Sequence, residues 1–215
     1  MKKAFTMIEL VFVIVVIGIL AAVMIPSTRT NPLQEAAIQM LSHIRYTQHL
    51  ALIDDKFDAT DLNWNKGRWQ LVFAFAGTAV DNKPSYTIFS DGPTYGGDAS
   101  SGEMAKNPEN VNQVMTGGHT GNVNLTVTDS GFIGMKKMNL GRSYGVTSIL
   151  RTGGCPNLFH LTFDELGRPM SGTHTTTTNT HTLITSDCNI TLSDGTNNVT
   201  ITVRPETGYA SITQY

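Results

Sequence analysis

The chain has 215 residues, with 15 Lys+Arg against 17 Asp+Glu and two cysteines. The slightly acidic balance excludes the basic footprint of a general nucleic-acid binder, and the length can bury a sizeable core in one large domain, or in a domain plus a stalk. Two cysteines permit a single intramolecular bridge, which would belong to an oxidising compartment.

From Ala4 to Ile25 only Thr6 and Glu9 interrupt an apolar run. As a helix its 22 residues would reach roughly 33 Å, about the thickness of a bilayer's hydrocarbon core. Lys2 and Lys3 precede the run and no basic residue follows before Arg29. The positive-inside rule therefore predicts a single pass with the N-terminus cytoplasmic and the remainder exported. An ordinary cleaved signal would show small residues at −3 and −1 of a cleavage site, and LAAVMIP offers only a poor one. Neither that reading nor a simple anchor gives Glu9 a partner.

Pro26 and Pro32 lie close together, so an unbroken helix through them is not expected. Asn31, Pro32 and Gln34 read as a fresh start, with Asn at N-cap, Pro at N1 and Gln at N3. Leu33, Ala37, Met40, Leu41, Ile44 and Ala51 then recur at helical spacing, which predicts an amphipathic helix ending near Asp54 with its apolar stripe on a sheet. Asp54, Asp55 and Asp58 are read as a solvated helix end rather than a metal site.

The rest is strand-rich. Strands are expected at 68–75, 85–90, 122–128, 157–164, 188–193 and 199–205, from their β-branched and aromatic content. Asp194-Gly195 predicts a hairpin between the last two. Residues 90–113, rich in Gly, Ser, Pro and Asn, are expected to form a long surface insertion. The fold class is α+β.

Enzyme signatures are missing. His43, His49, His119, His160, His174 and His181 are scattered, with neither H-E-x-x-H nor a paired Cys/His spacing. TGGHTGN (116–122) lacks a following helix, and nothing ties Ser143 or Asp164 to a base. The reading is a non-enzyme with no cofactor and no metal.

KKAFTMIELVFVIVVIGILAAVMIP resembles the class III signal and N-terminal helix of type IV pilins and type II secretion pseudopilins. The resemblance implies a prepilin leader at 1–4, cleavage between Ala4 and Phe5, and N-methylation of Phe5 by a prepilin peptidase. Ala4 stands where the family usually has Gly. It implies a transmembrane and filament-core helix over 5–30, kinked at Pro26. Glu9, the fifth mature residue, would pair with the new terminal amine of its own or a neighbouring chain during assembly. Without the leader, thirteen basic side chains remain against seventeen acidic ones, a balance of −4. The implied location is the bacterial inner membrane, single-pass, with residues 31–215 periplasmic and later in a pilus or pseudopilus. The implied partners are other pilins, the peptidase, an inner-membrane assembly platform, and membrane lipid before assembly.

Phe163, Gly167, Arg168 and Pro169, followed by Pro205, Thr207 and Gly208, resemble the F-x-x-x-G-R-P turn and P-x-T-G stretch of the H-type minor pseudopilins, often called GspH/FimT-like. That implies a long helical spine on antiparallel sheets. The rival reading is a DNA-capturing minor pilin of a competence pilus. The matching region, TGYASITQY, has Tyr209 and Ser211 where that element has arginines, with Arg204 the nearby cation. Asp187-Cys188-Asn189-Ile190-Thr191 fits a D-x-N-x-T glycosylation sequon that chance also supplies in a chain rich in Asn and Thr. Cys155 and Cys188 are each expected to open a strand of the C-terminal half, and so to form a disulfide; two unpaired buried thiols are the alternative.

Overall fold

A computed structural model describes residues 6–24, 31–92, 95, 99–120, 124–155, 160–171 and 182–214. The chain divides into two compact units, Met1–Asn31 and Pro32–Tyr215.

Among its described residues the first unit is one helix, α1 (Met7–Met24). Its start is set by a reciprocal capping box. The Thr6 backbone N–H and hydroxyl donate to Glu9 Oε2 at 2.9 and 2.8 Å, and the Glu9 N–H donates to Thr6 Oγ1 at 3.4 Å. The carboxylate also sits in the first turn, where the helix dipole favours negative charge.

The expected membrane span is overturned. Among the described residues no helix is long and apolar enough to cross a membrane. The 18 residues of α1 reach about 27 Å, short of a ~30 Å hydrocarbon core, and Glu9 occupies the first turn. The single-pass inner-membrane location with a periplasmic C-terminal domain therefore lacks its helix. The long apolar N-terminal helix is also corrected: among the described residues none is found beyond α1 (Met7–Met24), while the expected interruption is present, with Asn31 not helical and a fresh helix starting at Pro32. Ala4, Phe5 and Pro26 lie outside the described residues.

The second unit is α+β, with antiparallel sheets. Its principal helix, α2 (Pro32–Ile53), starts with Pro at N1 as expected. Leu33, Ala36, Ala37, Met40, Ile44, Thr47 and Ala51 are buried, and Leu41 is partly buried. The apolar stripe is therefore the core face. A short helix, α3 (Leu140–Tyr144), follows later.

One sheet has five strands: β1 (Trp69–Ala74), β2 (Ser85–Ser90), β6 (His160–Phe163), β7 (Pro169–Ser171) and β8 (Thr182–Leu183), in the order β2-β1-β6-β7-β8. A second has β5 (Ser148–Gly153), β9 (Cys188–Ser193), β10 (Asn198–Val203) and β11 (Ala210–Gln214), in the order β11-β10-β9-β5. A two-stranded ribbon pairs β3 (Lys106–Asn107) with β4 (Asn110–Val114).

Helix α2 packs on β1 and β6 of the first sheet and on β9, β10 and β11 of the second. Leu33, Met40 and Ile44 thus share one core with Leu71, Phe163, Ile190 and Ile201. Along β9 burial alternates, with Cys188, Ile190 and Leu192 inward, the period of a strand with one buried face. The β9–β10 hairpin turns at Asp194-Gly195, where Asp194 Oδ1 accepts the Thr196 and Asn197 N–H groups at 2.8 and 2.7 Å.

Three expectations are corrected. Residues 122–128 do not form a strand over the described part, 124–128. Asn124 is left-handed (φ 69°), which breaks the extended path, while Leu125 and Val127 stay buried. Residues 90–113 are not simply a surface insertion: Ala99, Met104 and Ala105 are buried, and the Ala105 N–H donates to the Ile88 carbonyl at 2.9 Å. Residues 93–94 and 96–98 of that stretch lie outside the described residues. Cys155 is itself not in a strand and lies just beyond the end of β5; residues 156–159, which it was expected to lead into, lie outside the described residues. The disulfide itself is present. Cys155 and Cys188 are bonded with Cα atoms 4.2 Å apart, because the β5–β9 register sets Gly153 opposite Cys188.

Candidate functional site

The first candidate surface is α1. Every large apolar side chain from Met7 to Leu20 is exposed, from 37% at Val16 to 88% at Met7. A helix apolar all round is ordinarily buried, and this one presents its apolar surface uncovered. Glu9 stands at its N-terminal end, exposed and held by Thr6. The sequence expectation for Glu9 is a terminal amine of its own or a neighbouring chain; the contact with Thr6 was missed. T-M-I-E is a capping-box sequence and could have revealed it.

The second candidate joins the two C-terminal turn motifs on α2. Gln48 Nε2 donates to the Gly167 carbonyl at 2.7 Å and to the Thr207 carbonyl at 2.9 Å. Gly167 and Gly208 both have positive φ (74° and 65°). A Cβ at Gly208 would lie 2.4 Å from the Gly167 oxygen, so only glycine allows the two turns to touch. Inside the first turn, Asp164 is 1% exposed. It accepts the Leu166 and Arg168 N–H groups at 3.1 and 2.8 Å and the Arg168 Nε–H at 2.7 Å. This explains why G-R-P needs its arginine: the guanidinium closes the turn on a buried carboxylate. Arg45 donates to the Ala210 carbonyl at 2.8 Å and lies 6.0 Å from the Tyr209 ring centroid. Leu52, Leu166 and Tyr209 are exposed around this junction.

The other singled-out residues do not converge. Asp54 accepts Trp69 Nε1–H at 2.9 Å and pairs with Lys56. Asp55 and Asp58 each cap a tight turn, at Phe57 and Thr60. Among the described residues no group of three or more His, Cys, Asp or Glu could hold a metal ion. His43 Nδ1 lies 2.7 Å from the Tyr86 hydroxyl, which also accepts from Gln39 Nε2 at 2.9 Å. Burial holds the His43 imidazole down to about 4, so it is neutral at pH 7, and its tautomer sets which way the bond to the Tyr86 hydroxyl runs. His160 Nδ1 is 2.7 Å from Gln70 Oε1 and His119 Nδ1 is 2.6 Å from the Thr120 carbonyl. His174 and His181 lie outside the described residues. Ser143 donates to the Lys136 carbonyl.

Arg204, the cation considered for DNA, is ion-paired with Asp187, and phosphate binding needs several free cations. Asn189 of the sequon lies within β9, where its Oδ1 accepts from Thr202 at 2.7 Å. A strand position engaged by both neighbouring strands is a poor place for a glycan.

No protein-family model, no curated protein and no solved structure matches the chain.

Proposed function

We propose that the chain is a minor pilin or pseudopilin, a structural subunit of a type II secretion pseudopilus or a type IV pilus, cleaved between Ala4 and Phe5 and N-methylated before assembly. The observation that carries this reading is α1: an apolar surface on every side, exposed from Met7 to Leu20, behind a Thr6–Glu9 cap. A bundle of the same helix from neighbouring subunits would cover that surface. The junction at Gln48 supports the finer, pilin-like reading, because the two stretches that carry the H-type resemblance make direct contact on α2.

Processing is the first test. Mass spectrometry of protein from cells with an active prepilin peptidase is expected to find an N-terminal peptide beginning at methylated Phe5. An intact Met1 terminus would overturn the proposal. Glu9 then separates two roles. Glu9→Gln keeps a capping-box residue and removes the charge, whereas Glu9→Val removes both. If the charge pairs with a subunit's amine, Glu9→Gln lowers incorporation into filaments. Normal incorporation of Glu9→Gln would leave the residue with a capping role alone.

A further inference from the structure

Where α2 ends and β1 meets β2, a cleft of about 370 Å³ is lined by Trp64, Trp69 and Tyr95, by Asp91 and Glu103, and by Lys56. The β1–β2 register builds it: Trp69 lies opposite Ser90, which sets the ring beside Asp91. Glu103 crosses from the following segment, with Oε1 accepting the Gly92 N–H at 3.2 Å and Oε2 the Ser100 N–H at 2.7 Å.

Asp91 is different. It is 3% exposed, and its Oδ2 has no hydrogen-bond partner among the described residues. Burial, and then the charge of Glu103, push its carboxyl up to about 6, with Lys66 acting in the opposite direction. At neutral pH it is still mostly ionised. A buried carboxylate left without a donor is costly and calls for one. Lys56 does not answer it: its ammonium pairs with Asp54 at 2.5 Å and lies 5.6 Å from the Trp69 ring centroid. Among the described residues the cleft wall therefore keeps two carboxylates, Asp91 and Glu103, without an ion pair beside three aromatic rings.

We infer that this cleft is a binding site for a primary alkylammonium group, whose N–H donors meet Asp91 and Glu103 and whose methylene stem lies against Trp64, Trp69 and Tyr95. Charge selects a cation, and the aromatic walls select an organic one. A metal ion is not favoured, since among the described residues no group of three or more His, Cys, Asp or Glu could hold one. The unpartnered Oδ2 selects a group that carries N–H donors over a quaternary ammonium. This inference stands apart from the proposed filament role.

The chain has two tryptophans, and both line the cleft, so intrinsic fluorescence reads this site. Full-length protein in a nonionic detergent would be titrated with cadaverine, with Nα-acetyl-lysine methylamide and with choline. A saturable change with cadaverine is expected, weakened at least about tenfold in Asp91→Asn, the loss of one charge-assisted hydrogen bond. Choline should bind more weakly than cadaverine. If the lysine derivative matches cadaverine, the source of the group is a peptide side chain; if it does not bind, the source is a free diamine. Three results would overturn the site: no saturable change up to about 10 mM, a range weaker than specific small-ligand affinities; equal binding of choline; or undiminished binding by an Asp91→Asn protein whose unfolding transition remains cooperative.

Discussion

Replacing Gly208 with alanine tests whether the two turn motifs are held together as the distances imply. At φ 65° any L side chain carries roughly 1 kcal/mol of conformational cost. Here the new Cβ would also lie 2.4 Å from the Gly167 oxygen and 2.5 Å from Gln48 Nε2. The first contact is with backbone and cannot be relieved by a rotamer change. One turn must move, and the Gln48 bonds to Gly167 and Thr207 are lost or lengthened, at about 1 kcal/mol each. The expected loss is therefore about 3 kcal/mol. Gly145→Ala supplies the control. It closes α3 at φ 71° with nothing within 4 Å of the added Cβ, so it should lose only the conformational ~1 kcal/mol. Urea denaturation of both variants, with equal m-values, reads the difference. If Gly208→Ala loses no more than Gly145→Ala, the turns do not bear on each other and the account of the junction fails.

The double variant Cys155→Ser/Cys188→Ser should lower the unfolding free energy by about 3–4 kcal/mol, since the closed loop spans 33 residues; two thiols that label in the unreduced, denatured wild type would refute the bridge. His43 should titrate near 4 in an NMR pH series. Its unfolded state binds the proton first, so its contribution to stability is full above about 6.5 and is lost as pH falls towards 4; a midpoint near 6.5 would refute its burial against Tyr86. Asp91 has the opposite sign: with its carboxyl pushed up to about 6, stability is full below about 4 and lost as pH rises through 6. Asp91→Asn should then raise the thermal midpoint at pH 7, by the equivalent of about 2–3 kcal/mol, and an unchanged or lowered midpoint would count against a buried, unpartnered charge.

Legibility in the sequence followed element length and polarity. Asn31-Pro32 and the apolar stripe of α2 were readable because twenty residues of period 3.6 outvote any single position. β1, β2, β9 and β10 were readable from six-residue runs of β-branched and aromatic residues. β7 and β8, three and two residues long, are too short to show a period. β5 buries only Ile149 among its six residues and pairs on one side, so its sequence carries little alternation. The alternation in 122–128 was real, since Leu125 and Val127 are buried, but their backbone partners are isolated groups of other segments, the His119 N–H and the Ala79 carbonyl. Polarity misled in 90–113, where a few apolar residues suffice to build a second small cluster of Phe89, Ala99, Met104, Val114 and Leu125. The apolar run at the N-terminus was readable as helix, yet among the described residues that helix is not long and apolar enough to cross a membrane.

Two buried aspartates show where the cleft differs from the rest of the fold. Asp164 is as inaccessible as Asp91, but it receives three N–H donors, one of them from a guanidinium. Its sequence neighbours supply all three, so the turn is self-sufficient and the carboxylate stabilises it. Asn139, also buried, is likewise saturated: its amide donates to the Val80 and Gly117 carbonyls and its oxygen accepts the Arg142 N–H. At these two positions local geometry satisfies the buried polar group. Asp91 stands at the edge of β2, where the Ser90 and Gly92 N–H groups are engaged by Glu103 and the Ser90 hydroxyl donates to the Gly67 carbonyl, and among the described residues none of these donors reaches its Oδ2. A neutral residue at that position would be more stable. A carboxylate that lowers stability while facing an aromatic cleft is the pattern expected of a group kept for what it binds.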